Sequence, residues 1–296
     1  MSNNQVYVIT GATGWLGREC LELLIHKGVS PNNIYLFASK KQMLKMPFGD
    51  FSVYPIDAMK DYLLITPVVF HFAYLTRDKV TTLGRHTYTD ACLKITSVIT
   101  EALKKWLGAT LCYASSGAVY DNQYKADYFE NNPYGFLKFM DECYFKELCN
   151  SIGSRLIIPR IFNISGRHTQ NRSQYALTSM IDQAQASQVI HISAKHKVIR
   201  SYISAQQLIE VCLLWINDSN DNNFIRFDAC SSEAIEITQI AECIKKNKGF
   251  SIDIKRDTDN SLEDSIYLGD PKAMSDLCQK YEIKLLSSDE QIQELI

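Results

Sequence analysis

The stretch "VYVITGATGWLG", residues 6–17, runs a short β-branched segment straight into three evenly spaced glycines, Gly11, Gly14 and Gly17. Leu16, Cys20, Leu21, Leu24 and Ile25 then recur at helical spacing until Gly28, a suitable C-terminal stop. A buried strand, a glycine turn and a helix in that order constrain the fold more than any other feature of the chain. Gly11 permits a tight turn, Gly14 lets backbone approach a ligand, and Gly17 lets the helix lie close on the strand. The helix N-terminus offers free N–H groups and a partial positive charge, which suit a pyrophosphate. The loop therefore predicts dinucleotide binding at the first strand of a parallel sheet.

The rest of the first half alternates in the same way. Strands are expected at 33–38, 52–56, 68–73, 109–115 and 155–161, with a long helix over 88–107 and another beginning near Pro133. Such alternation gives a doubly wound parallel sheet covered on both faces, an α/β fold of Rossmann type. The second half is less regular. A polar segment at 166–174 precedes a helical stretch at 175–186 and the strand-like "VIHIS" and "VIRSYIS". Helices near 205–217 and 238–247 flank "NFIRFDA", 223–229. The expected division is a dinucleotide-binding domain over 1–165, to which 198–229 returns, and a smaller, mainly C-terminal substrate domain of 166–197 and 230–296.

Composition excludes several function classes. At 296 residues, 46% hydrophobic, 22% charged and with a net charge of −2, the chain reads as an ordinary globular protein without a nucleic-acid or anionic-membrane footprint. No apolar run approaches the ~20 residues of a membrane helix. The N-terminus shows no signal peptide, so a cytoplasmic protein with no membrane partner is expected. The nine cysteines form no Cys-x-x-Cys pair and read as buried, reduced thiols. The six histidines lack metal-ligand spacing, so no metal is expected.

The second strand bears on the choice of cofactor. NAD sites usually place a carboxylate after it, to hold the adenosine ribose. Here it runs into Ser39, Lys40 and Lys41, a hydroxyl and two cations suited to a 2′-phosphate, with Arg18 placed to assist. NADP is therefore favoured over NAD. Asp57, after the third strand, is a candidate acceptor for the adenine amino group.

"NPYGFLK", 132–138, puts Tyr134 and Lys138 one helical turn apart, behind Pro133 at a first-turn position and Asn132 as a candidate N-cap. With "TGATGWLG" (10–17), "HFAYLT" (71–76), "ASSGAVY" (114–120), "PRIFNISG" (159–166) and "RSYISAQQL" (200–208), this series resembles the extended short-chain dehydrogenase/reductase family. The resemblance is to its branch of nucleotide-sugar epimerases, dehydratases and ketoreductases, and it covers nearly the whole chain. It implies a catalytic set of Ser116, Tyr134 and Lys138. Tyr134 would exchange a proton with a sugar oxygen as hydride moves to or from the cofactor. A nearby ammonium, the helix N-terminus and an oxidised nicotinamide all favour its phenolate form. Lys138 would also hold the nicotinamide ribose, and Ser116 would orient the reacting oxygen. The implied cofactor site takes in Gly11, Thr13, Gly14, Trp15, Leu16, Gly17, Ser39, Lys40, Asp57, Ala73, Tyr134, Lys138 and Phe162. Asn163 and Arg200, with Ser116, would meet the substrate.

Departures from the family pattern narrow the reaction. Gly117 and Ala118 stand where dehydratases carry an acidic pair, Ala91–Cys92 replace an asparagine, and Gln206–Gln207 replace another acidic pair. The expectation is an oxidoreductase on a nucleotide-activated sugar, foremost a 4-ketoreductase using NADPH. A 4-epimerase holding NAD tightly is the alternative, and a non-catalytic dinucleotide sensor a further one. The helix after Pro133 carries two apolar stripes, one through Leu137, Met140, Tyr144 and Leu148 and one through Phe136, Phe139 and Cys143. With apolar residues of the 88–107 helix, including Trp106, this predicts a homodimer through helices 88–107 and 134–150.

Overall fold

The structure, a computed structural model, describes residues 5–121, 125–187, 189–218, 222–248, 252–259 and 261–296. The chain divides into two units, Met1–Ile161 with Cys212–Phe227, and Phe162–Val211 with Asp228–Ile296.

The first unit is built on strands β1 (Tyr7–Thr10), β2 (Ile34–Ala38), β3 (Gln42–Met46), β4 (Gly49–Pro55), β5 (Val68–His71), β6 (Thr110–Tyr113), β7 (Ser115–Ser116) and β8 (Arg155–Ile161). Strand β13 (Phe224–Ala229) joins their sheet, which runs β13-β8-β6-β5-β1-β2-β4-β3, with β7 beside β8. Every residue of β1, β5 and β6 is buried, as befits parallel strands covered on both faces. β1 pairs in parallel with β2 on one side and β5 on the other. The chain thus leaves β1 in one direction and later returns to its opposite flank, which opens a crevice beyond the carboxyl ends of β1 and β5. The β3 strand, unforeseen in the sequence, pairs antiparallel with β4 at the sheet edge.

Helices α1 (Trp15–His26), α2 (Lys79–Leu83), α3 (Arg85–Lys105), α4 (Tyr128–Asn131) and α5 (Pro133–Ser151) belong to this unit. Residues of α3 and α5 pack with Val8, Val69, Leu111 and Ile158 in one cluster. Trp106 belongs to that cluster too, fully buried, with its indole N–H donated to Tyr62 O at 2.9 Å. It is a core residue and not, as the sequence suggested, part of an apolar outer face. Cys20 of α1 lies close to Cys212, and Cys212 to Cys112 of β6. All three are buried, and the nine cysteines are free thiols, with Cys143 exposed.

The second unit has β9 (Asn163–Ser165) paired with β12 (Tyr202–Ser204), β10 (Val189–Ile192) with β15 (Asp253–Arg256), and a three-stranded sheet of β14 (Ile235–Glu236), β11 (Val198–Arg200) and β16 (Ser265–Tyr267). The expected single strand over "VIRSYIS" is thus two strands with different partners. Helices α6 (Ala176–Ser187), α8 (Ile237–Lys248) and α10 (Ser288–Gln293) surround an aliphatic core that includes Ile181, Ile190, Ile240, Ile244 and Ile292. Helices α7 (Ala205–Asn217) and α9 (Lys272–Lys280) complete the set.

Candidate active site

The glycine loop adopts the geometry its sequence requires. Gly11 has φ +66°, and a Cβ there would lie 2.7 Å from Ala73 N and 2.8 Å from Phe72 C, so the loop presses on the segment after β5. A Cβ at Gly17 would lie 2.3 Å from Gly11 O and 2.6 Å from Ala12 Cα, which sets how closely α1 approaches β1. At Gly14 a Cβ would meet only Gly11 O, at 3.2 Å. Gly14 is also the N-cap of α1 and supplies no side-chain cap, so the first-turn amides keep their donors for a ligand. These features fit a dinucleotide pyrophosphate held by backbone from Gly11 to Gly17, Thr13, Trp15 and Leu16 included. Ala73, on the other wall, donates its N–H to Thr10 Oγ1 at 3.2 Å.

Beyond β2, Ser39, Lys40 and Lys41 are exposed. They follow Phe37, whose carbonyl accepts the Ala12 N–H at 3.1 Å, so this turn borders the glycine loop. Arg18 lies against the same loop, with its Nε 3.1 Å from Thr13 O. Asp57 lies in the first turn of a short 3₁₀ helix, Ile56–Asp61, and forms an exposed ion pair with Lys94 at 3.3 Å.

Helix α5 carries Tyr134 and Lys138, and its start is tightly fixed. Asn132 Oδ1 caps it by accepting the Gly135 N–H at 2.9 Å, while Asn132 Nδ2 donates to Ala118 O at 2.7 Å and Asp121 O at 3.1 Å. The middle glycine of "YGFLK" has its reason here. A Cβ at Gly135 would sit 2.2 Å from Ala118 O. Ala118 lies in the 3₁₀ turn Gly117–Tyr120, which Ser116 caps by accepting the Ala118 N–H at 3.2 Å. Ser116 and Tyr134 are half-buried, whereas Lys138 is buried.

Lys138 Nζ donates to Ala114 O at 2.7 Å and lies 3.6 Å from the Tyr74 ring centroid and 4.7 Å from that of Tyr113. Tyr74 in turn meets Tyr134 edge-on, with centroids 6.1 Å apart. Burial pushes Lys138 down to about 8, against the pull of Asp141. Below it, His71 is buried with Nδ1 2.7 Å from Thr10 Oγ1, and burial lowers its pKa to about 3, so it is neutral at physiological pH. Asp141 accepts from Thr96 Oγ1 at 2.9 Å and Tyr113 OH at 3.0 Å, and burial raises its pKa.

A second network anchors the serine strand. Ser115 donates to Glu142 Oε1 at 2.5 Å, and Arg160 grips the same carboxylate through Nε at 2.9 Å and Nη2 at 2.7 Å. Arg226 reaches it at 3.3 Å, and Arg160 Nη1 donates to Tyr120 OH at 2.6 Å. Glu142 is eight residues after Tyr134 on the same helix, and Ser115 pairs with Arg160 across β7 and β8. The network therefore ties α5 to the strand that presents Ser116. Sequence reasoning named neither Glu142, Arg160, Asp141 nor Tyr74. The i+3 and i+4 positions after Lys138 were the only local signal for the two acids.

Phe162, Asn163 and Arg200 lie in the second unit. The Phe162 ring lies tilted against that of Tyr267, with centroids 4.8 Å apart, and Asn163 Nδ2 is 3.3 Å from Ser201 O. Arg200 donates to Ile199 O and Ser265 O, both at 2.8 Å, and to Ser265 Oγ at 3.0 Å, so it braces β11 against β16.

A strand–glycine-loop–helix at a topological switch point, with a Tyr/Lys pair near a strand-end serine, defines the class of nicotinamide-dependent Rossmann proteins. The profile of the NAD dependent epimerase/dehydratase family matches residues 7–226, and the chain belongs to that family. No curated protein matches the chain. Among solved structures, it is similar to TunA, an NAD-dependent NDP-hexosamine 5,6-dehydratase involved in tunicamycin biosynthesis, at 13% identity and TM-score 0.74, covering 98% of this chain and 96% of that one. It is similar to the Thermus thermophilus UDP-glucose 4-epimerase in complex with NAD, at 15% identity and TM-score 0.73, covering 98% and 97%. The Bacillus cereus UDP-N-acetylglucosamine 4-epimerase aligns at 15% identity and TM-score 0.70, over 98% and 95%. At these identities the likeness shows the fold.

Proposed function

We propose that the protein is an oxidoreductase acting on a nucleotide-activated sugar, foremost a 4-ketoreductase using NADPH, with Ser116, Tyr134 and Lys138 as its reacting set. The observation that carries this reading is the placement of Lys138: a buried ammonium one helical turn from Tyr134, on a helix locked against the Ser116 turn. The cofactor would lie on the Gly11–Gly17 loop with Ala73 and Lys138 beside it, and Ser39, Lys40 and Arg18 facing a 2′-phosphate. When bound, it supplies the exchangeable hydride. Tyr134 gives its phenolic proton to the sugar oxygen as that oxygen gains charge, or takes it back in the reverse direction. Ser116 Oγ donates to the same oxygen and orients it. The positive charge of Lys138 favours the phenolate that Tyr134 becomes. Phe162 is further proposed to contact cofactor, and Asn163 and Arg200 to contact substrate.

The 4-epimerase reading is supported by the solved 4-epimerases that share the fold, one of them in complex with NAD. Extensive dialysis separates the two. A reductase should emerge cofactor-free and bind NADPH more tightly than NADH, by a margin that replacing Lys40 and Lys41 with alanine narrows. Tightly retained NAD, or equal affinity for both cofactors, would reverse that choice.

We also propose a homodimer through α3 and α5. The support is a groove of about 490 Å³ between them. Among polar neighbours that include Glu101 and Lys104, its lining holds Leu93, Met140 and Tyr144, which are 51%, 48% and 44% exposed.

A further inference from the structure

Lys138 is a charge without a salt-bridge partner among the described residues. One of its N–H groups is satisfied by Ala114 O, and a buried ammonium needs more than one neutral acceptor. The groups that face it from each packed element are few. From β5 comes neutral His71, from β6 Tyr113, from α3 Cys92, and from α5 Asp141 and Glu142. The oxygens of Asp141 accept from Thr96 and Tyr113 and face the Tyr74 hydroxyl, and those of Glu142 accept from Ser115, Arg160 and Arg226. Besides the Ala114 carbonyl, what the ammonium meets is a ring face. Nζ is 3.6 Å from the centroid of Tyr74, a residue just past β5 whose side chain also touches Tyr134. A cation centred over an aromatic face is held by the ring quadrupole, and most strongly where water is excluded.

We propose that Tyr74 is a positioning residue of this site: its ring face seats the Lys138 ammonium beside Tyr134 and stabilises its charged form. The inference rests on the proposed Tyr134/Lys138 reaction only for its effect on turnover. The seating itself is open to measurement in the cofactor-free protein. Because burial already brings Lys138 to about 8, a modest change in the ring alters how much ammonium is present near neutrality.

The test replaces the ring's electrons while keeping its shape. Lysine side chains are labelled with ¹³C at Cε, the Lys138 signal is assigned with Lys138→Met, and its titration is followed with tyrosine, phenylalanine or pentafluorophenylalanine at position 74. Tyr74→Phe should titrate like the native protein, and the fluorinated ring should titrate about one pH unit lower. Trifluorophenylalanine gives an intermediate step if the fully fluorinated protein does not fold. A merely structural ring would show no such graded shift. Equal titration across the series overturns the proposal, and so does a shift in Tyr74→Phe as large as that of the fluorinated variants. The alkaline limb of kcat/KM should move with the titration. A titration that moves while the limb stays would uphold the seating and count against the role proposed for Lys138 in turnover.

Discussion

At the scale of single residues, burial sets the charge state of the site floor. Lys138 is depressed to about 8, so the ammonium predominates below that pH and is lost as pH rises through it. If it favours the Tyr134 phenolate and holds cofactor, kcat/KM should fall as pH rises through about 8, where an exposed lysine would leave activity flat to about pH 10. An alkaline limb at the ordinary lysine value would contradict this. His71 gives a stability prediction of opposite range. Its pKa in the folded protein, about 3, lies below the ordinary value of 6.5, so between them the unfolded chain binds more protons. Stability from this group is full above about 6.5 and is lost as pH falls toward 3. His71→Asn should therefore flatten the acid side of a plot of Tm against pH, and an unchanged slope would rule out that role. The proposed reacting residues, Ser116, Tyr134 and Lys138, could be named from the sequence because each sits in a local motif. The sequence did not reveal Tyr74, which gains its importance from a contact with a residue 64 positions away in the chain.

At the scale of elements, α5 was readable almost to the residue, because its start is governed by local rules: Asn132 caps, Pro133 enters the first turn, and Lys138 follows Tyr134 by one turn. The reason for Gly135 was only partly readable: a Cβ there would lie 2.1 Å from Asn132 Nδ2, on the local cap, and 2.2 Å from the carbonyl of Ala118, far upstream in the chain. Asn132→Ala removes the cap and both carbonyl contacts, and a destabilisation of about 1–2 kcal/mol is expected in denaturant unfolding. Gly135→Ala should cost at least as much and lower kcat, because relief of the clash moves Tyr134. If Gly135→Ala leaves both stability and kcat untouched, the locked helix start is not what aims the tyrosine. The edge strand β3 and the division of 198–204 into β11 and β12 escaped the sequence for a different reason. Edge pairing and changes of partner are decided by tertiary neighbours rather than by a residue pattern.

At the scale of the whole molecule, the parallel sheet of the first unit was legible because helices separate β1 from β2, β5 from β6, and β6 from β8. The second unit was less so, as its strands are short and pair in three small sheets. The apolar surplus on α5 divides in the structure: Leu137 and Leu148 are buried, while Met140 and Tyr144 remain about half exposed along the groove with α3. A twofold contact there would use each substitution twice. Phe139→Glu and Met140→Glu should each convert a dimer into a monomer or an aggregate in sedimentation, and a native protein that sediments as a monomer at micromolar concentration would end the proposal. The central claim is that Tyr134 exchanges the proton that accompanies hydride transfer to or from a nucleotide sugar. It is tested most directly by following the reduced-nicotinamide spectrum when the native protein and Tyr134→Phe are mixed with cofactor and a panel of UDP-, GDP-, dTDP- and CDP-linked sugars and 4-keto sugars. The account predicts turnover with at least one of these for the native protein. It predicts a loss on the order of 10²–10⁴-fold in Tyr134→Phe, with cofactor affinity unchanged. Near-native turnover by Tyr134→Phe on that same substrate would contradict it.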